Sequence, residues 1–236
     1  MESGRLEAFS DGVFAVAITL LALELAVPHP GLHHHSLTDQ LSEHWPSFAA
    51  YLISFLTIGI IWVNHHTLFH NVAHVDRPLL FINLLLLFFV VSIPFVTTTF
   101  ADYLRDGGFQ ASVAGAIYNG VFAGMGVSFG VLFWWTIRHE HLKTALPPGA
   151  ILAAVIRFGI GNVAYLAAVG IAFVSPAAAL LISGLVAVYY MFEQTPGRKG
   201  GQGPREGTGN GADKARQFGA GRDTGAAGDA GPDQDF

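Results

Sequence analysis

RLEAFSDGVFAVAITLLALEL, residues 5–25, decides how this chain is read. It supplies the roughly 20 mostly apolar residues that a membrane-spanning helix needs. Yet it carries Arg5, Ser10 and Asp11 near its start and Glu24 near its end. It does not read as a cleaved leader, because Asp11 lies in its body and "LELAVPHP" offers no small-x-small cleavage site. A retained helix with a carboxylate inside it is expected.

The whole chain agrees with that reading. Of its 236 residues, 52% are hydrophobic and 12% charged, against roughly 25% charged in an ordinary soluble domain. The net charge of -5 says little about partners, because a polar, Gly-rich end dilutes an even more apolar front part. With no cysteine, a disulfide framework, a thiol nucleophile and a cysteine metal site are all excluded.

Five further apolar runs follow, near residues 47–69, 79–100, 112–136, 150–172 and 175–193, after the first at 7–27. "PHPG", "DRP", "RDGG", "LPPG" and "SP" separate them, combining helix-ending Gly and Pro with charge. Pro176 either opens the last helix or kinks a longer one. The fold class is therefore all-α, a polytopic membrane protein of six transmembrane helices over residues 1–193. Residues 194–236 have too few apolar groups to offset ordering entropy and are expected to form a disordered Gly-rich cytoplasmic tail. Arg5, Arg77, Arg138, Lys143, Arg198 and Lys199 fall on one side of a six-span chain and only Arg105 on the other, which places both ends in the cytoplasm of a cell-membrane protein. Arg157 sits about one and a half turns into the fifth helix, near enough to that side to snorkel or to pair.

On a wheel of 100° per residue, Leu20 and Leu23 fall within about 40° of Val16, and Thr19 lies about 60° away. Asp11 lies about 140° from Val16, so the carboxylate and the apolar stripe face different neighbours. An ionised Asp in a bilayer costs about 2.5–3.5 kcal/mol on insertion scales and persists when paired. Partners at its depth are Trp62, Asn64, His65 and His66 in the second helix, and Asp76, Arg77 and Asn83 at the start of the third. The alternative is that Ser10 and Asp11 only cap an interfacial helix end, where acid is favoured by the dipole.

Arg5, Phe9, Ser10, Asp11 and Ala15 form the pattern R-x-x-x-F-S-D-x-x-x-A. With "VAIT" after it and "IWVNHHTLF" in the second helix, it resembles the signature of the transmembrane protein 175 family of potassium channels, in its short bacterial branch. That resemblance implies a potassium-selective cation channel, not an enzyme: a homotetramer in the lipid bilayer with the first helix of each chain lining a central pore. It implies a hydrophobic constriction in place of a carbonyl filter loop, and no "TVGYG" occurs here. The constriction and gate map onto Val16, Leu20 and Leu23, and the polar pore-lining position onto Thr19. Family members often have Ile or Leu where this chain has Val16, smaller by about one methylene. Arg5, Phe9, Ser10 and Asp11 would bolt the first helix to the second and third through Trp62, His65 and Asn83, so that losing Asp11 disturbs assembly or gating more than selectivity. Glu24, about 80° off the stripe, would gather cations at the outer mouth, or is simply a solvated interfacial residue. Potassium ions are the expected permeant partner; no cofactor, no metal and no nucleic acid is expected.

"HHTLFHNVAH" supports a different class. His66, His70 and His74 recur every four residues and would share a face of a continued helix. With His65, His139 and His141 they would form a histidine-rich intramembrane metalloenzyme site, since neutral imidazole binds iron or zinc well. Against it stand the lack of a second H-x-x-H-H or H-E-x-x-H cluster and the few carboxylates nearby. His29, His33, His34, His35 and His44 gather in the outer loop, as a wet titratable segment or an adventitious metal site. A secondary transporter would show internal repeats or broken helices, and neither is visible. Gly115, Gly120 and Gly124 have the small-residue spacing that lets helices approach closely.

Overall fold

The computed structural model describes residues 3–25, 38, 42 and 44–193. Six helices follow one another: α1 Ser3–Glu24, α2 Trp45–His70, α3 Arg77–Asp106, α4 Gly108–Arg138, α5 Pro148–Ala172 and α6 Pro176–Glu193. Among the described residues, α1 to α5 are long and apolar enough to cross a membrane, and α6 is apolar but shorter. The bundle is apolar inside and out. Phe14, Ile58, Leu86, Phe100, Tyr118 and Phe122 are fully enclosed, while Phe81, Phe95, Val163 and Leu166 face outward. A water-soluble chain rarely leaves apolar surface on that scale; a bilayer removes the penalty. The six-helix expectation holds, and the Gly-rich tail lies outside the described residues.

One boundary differs from the sequence reading for a local reason. α3 and α4 run into the "RDGG" break from both sides and leave only Gly107 between them. Gly107 and Gly108 take φ values of 75° and 73°, a region open to glycine without steric cost. At the break left open by the sequence, a new helix begins. α5 stops at Ala172, and the Ser175 hydroxyl accepts from the Ala178 amide at 3.3 Å, so Pro176 sits in a first turn where it has no amide to lose.

Small residues and buried hydroxyls set the packing. A methyl group on Gly115 would stand 2.9 Å from the Phe100 ring and 3.3 Å from Ala172, and one on Gly124 would collide with Phe89. Both glycines therefore admit close neighbours. Gly120 does not act this way, for a methyl there meets nothing within 4 Å. Ser54 on α2 joins Thr97 on α3 at 2.8 Å and Tyr118 on α4 at 3.0 Å, and Ser183 on α6 donates to Asn119 on α4 at 2.7 Å.

At the basic-rich end the α2–α3 and α4–α5 connections are stitched together. Val72 and Leu142 form an isolated antiparallel bridge. The Ala73 amide donates to the His141 carbonyl, and the Lys143 amide to the Asn71 carbonyl, both at 2.7 Å. Lys143 Nζ adds a bond to the His70 carbonyl at 2.7 Å. Asp76 centres this end. Its Oδ1 caps α3 by accepting from the Leu79 amide at 2.8 Å, and its Oδ2 accepts from Trp135 Nε1 at 3.1 Å and lies 3.3 Å from His141 Nε2.

Burial pushes the Asp76 carboxyl up, but the Leu79 amide, the Trp135 indole and His141 outweigh it and hold the group below its ordinary value of 3.8. A carboxyl depressed on folding contributes stability above its unfolded pKa and loses it as pH falls through the folded one. Asp76→Ala is therefore expected to cost about 1 kcal/mol at neutral pH, the usual value of such a cap. In detergent melts of wild type and variant, the gap should close as pH drops below about 3.8.

Candidate functional site

α1 is apolar nearly all round, so its contacts with neighbouring helices decide its orientation. Leu6, Ser10, Phe14, Ala17 and Leu21 are buried, spaced three and four apart along one face, and this face packs on α2 and α3. The opposite side is open in the single chain. Val16 is 55%, Leu20 40% and Leu23 76% exposed. Thr19 lies on the same open side, its hydroxyl donating to the Val16 carbonyl at 2.9 Å.

Three polar side chains meet on the buried face. Asn83 of α3 donates through Nδ2 to the Ser10 hydroxyl at 3.0 Å, and its Oδ1 stands 2.8 Å from His65 Nε2 of α2. Ser10, His65 and Asn83 are all fully buried. The His65 ring lies between aromatic neighbours, 4.3 Å from Phe69 and 5.3 Å from Phe14 by ring centroid. The imidazole thus has one directional partner, Asn83, and an otherwise apolar enclosure; its Nδ1 makes no hydrogen bond.

Asp11 stands at the rim of this group. Trp62 Nε1 donates to its Oδ1 at 2.9 Å, while its Oδ2 lies 3.6 Å from His66 Nδ1. The same His66 nitrogen is 3.3 Å from Glu7 Oε1. Glu7 is a participant that the sequence reading did not single out; the signal was its position one turn before Asp11, on the same helix face. Glu7, Asp11 and His66 offer ligand atoms within 4.8 Å of one another. They could hold a cation, or form an ion pair whenever His66 is protonated.

The structure thus brings Ser10, Asp11, Trp62, His65 and Asn83 together. Arg5 and Phe9 are exposed, and among the described residues Arg5 makes no hydrogen bond or ion pair with this group. Asp76 and Arg77 also stand outside it, for Asp76 is engaged by α3, α4 and His141 as described. Asn64 turns back on its own helix, donating to the Ile60 carbonyl at 2.8 Å. The Glu24 side chain lies outside the described residues, as do His29, His33, His34 and His35. At that end of the bundle Arg105 joins His44 at 3.0 Å and Asp102 at 3.4 Å.

The histidine-face expectation needs correction. α2 ends at His70, with Asn71 as its cap, so His74 falls in the connection and does not continue a helical row. His139 stacks on Trp135 at 3.9 Å, His141 faces Asp76, and His65 faces Asn83. Among the described residues these imidazoles do not converge on a common point, and the metalloenzyme reading has no support.

The family profile described as "Endosomal/lysosomal potassium channel TMEM175" matches residues 5–94, the part that holds α1, α2 and the start of α3. A potassium channel of Streptomyces collinus is 49% identical over 200 residues, covering 83% of this chain and 94% of that protein. A potassium channel of Chamaesiphon minutus is 38% identical over 193 residues, covering 80% and 93%. The crystal structure of a lysosomal potassium-selective channel TMEM175 homolog from Chamaesiphon minutus is similar with a TM-score of 0.71 and 36% identity. It covers 81% of this chain and 97% of that one.

Proposed function

The chain belongs to the transmembrane protein 175 family, and from that premise we propose that it is a multi-pass potassium channel of the cell membrane, with both ends cytoplasmic and α1 lining the pore of a homotetramer. One observation supports the reading most directly. The chain's own packing consumes the Ser10 face of α1 and leaves Val16, Leu20 and Leu23 uncovered. One stripe cannot enclose a pore, but identical stripes around a symmetry axis can.

In that arrangement Val16, Leu20 and Leu23 form stacked apolar rings that close by dewetting, so that a small widening admits water and ions. Thr19 has spent its proton on the Val16 carbonyl, which leaves oxygen lone pairs for a partly dehydrated cation. The Ser10–Asn83–His65 group and the Trp62–Asp11 bond hold the helix in register without touching the ion. Glu24, at the far end of α1, adds negative charge near the outer mouth and concentrates cations there. No catalytic group is required.

The deciding experiment is flux from potassium-loaded liposomes containing the purified chain, with potassium, rubidium, cesium and sodium compared. Passage of potassium at about ten times the sodium rate or more, a preference of at least 1.4 kcal/mol, is the expected result. Folded protein that passes no cation, or passes sodium equally, would defeat the reading.

A further inference from the structure

Arg157 is the one charged residue of α5. It lies nine residues beyond Pro148, roughly 14 Å along the axis at 1.5 Å per residue. Its guanidinium carbon sits 5.4 Å from the centroid of the Phe158 ring. Among the described residues no carboxylate lies within ion-pair distance of it. A half-buried cation inside an apolar helix calls for a partner, and a neighbouring aromatic face offsets only part of its desolvation.

Beside Arg157 is a groove of about 150 Å³ between α2, α4 and α5. Phe129, Phe133 and Phe158 wall it, and Asn64 of α2 and its cap residue Asn71 line it on the other side. α6 reaches only as far as this level. The Tyr190 hydroxyl donates to the Arg157 carbonyl at 2.8 Å, and α6 ends three residues later at Glu193. The outward face of α5 is apolar, with Leu152, Val155, Ile156 and Ile160 exposed; it is centred away from Ala154 and Phe158, and Arg157 stands at its edge, about 60° around the helix from Ile160. A chain crossing a bilayer turns such a face to lipid. Arg138 and Lys143 lie at the same end, so this is the leaflet toward which the chain presents its positive charge.

We propose that the groove is a site for an anionic phospholipid of that leaflet, its phosphate on the Arg157 guanidinium and one acyl chain along the aromatic wall. The charge selects the headgroup: a guanidinium fits phosphate oxygens in a fork that a point charge does not reproduce. The apolar walls select a lipid over a free anion, which would gain nothing from three phenyl rings. The proposal rests on membrane insertion alone and is independent of what the protein conducts.

The test is native mass spectrometry of the full chain in detergent, equilibrated with phosphatidylglycerol and phosphatidylcholine of matched acyl chains. Wild type is expected to retain phosphatidylglycerol about fivefold over phosphatidylcholine, as one basic group near a lipid surface allows. Arg157→Gln should bring the ratio near unity, Arg157→Lys should keep part of it, and Arg138→Gln, exposed and outside the groove, should leave it unchanged. The wild-type ratio and the Lys variant suffice if the Gln variant fails to fold. No preference in wild type, or an unchanged preference in Arg157→Gln, overturns the proposal. Displacement of the lipid by equimolar inorganic phosphate also overturns it, in favour of a general anion site. A chain ending at Glu193 that gains lipid binding overturns it too, assigning the groove to the protein's own carboxyl-terminal segment.

Discussion

Asn83→Leu is expected to lose most folded protein from detergent extracts and to lower the melting temperature of the remainder by about 10 °C. The direct loss is small, since an interhelical hydrogen bond in a membrane protein averages about 0.6 kcal/mol. Stranding the partners costs more. His65 keeps no other directional contact, and the Ser10 hydroxyl loses its donor at 0% exposure. Unsatisfied buried groups cost about 1–3 kcal/mol each, and a chain of this size shifts by about 2–4 °C per kcal/mol. Asp11→Asn provides the contrast. An amide oxygen can still accept from Trp62, and the site is half open, so its melt should shift by less than half as much. Size-exclusion profiles and melts of both variants check this; a larger shift for Asp11→Asn would put the anchor at the rim instead of at Ser10.

Val16→Ala is expected to leave folding intact and to remove most discrimination between potassium and sodium. Val16 lies outside the chain's own core, being 55% exposed, so its truncation leaves no internal cavity and the melt should hold within about 0.5 kcal/mol, as for other surface changes. In the proposed pore it removes two carbons per chain from one of the apolar rings. Water then enters more readily, and the potassium to sodium flux ratio should fall about tenfold, equivalent to roughly 1.4 kcal/mol. Leu21→Ala, on the enclosed side of the same helix, should do the reverse and cost about 2–5 kcal/mol of stability without altering the ratio. Liposome flux and melting of the two variants separate pore surface from packing surface. Equal ratios in Val16→Ala and wild type would remove Val16 from the neck.

Hydropathy and the breakers located all six helices, because length and Gly/Pro punctuation are local properties. It also marked α1 as exceptional, through Asp11. What it weighted differently was the depth of each polar group. A carboxylate is the most costly residue in the run and draws the eye, yet Asp11 sits at the rim and the enclosed member is Ser10, whose hydroxyl raises no alarm in a membrane helix. Asn83 and His65 were legible as partners from equal depth. Glu7 was not, since its role depends on His66 turning toward α1. The histidine row failed for a plain reason: a period of four holds meaning only while the helix lasts, and α2 stops at His70. Asp76 was read as a partner for α1 and is instead the pin of the loop end, a choice set by Trp135 and His141, far away in sequence.

The anchor of α1 is off centre, and that makes the helix a lever. Directional bonds to α2 and α3 gather at Ser10 and Asp11, while Ala17 and Leu21 above them are held by apolar packing alone. Leu23 is thirteen residues from Ser10, an arm of about 20 Å, and Val16 six residues away, an arm of about 9 Å. A tilt of about 5° about Ser10 would carry Leu23 through about 1.7 Å but Val16 through only about 0.8 Å. In the proposed pore, rotation about that point would move the apolar rings by unequal steps, with the ring nearest the pivot the last to part.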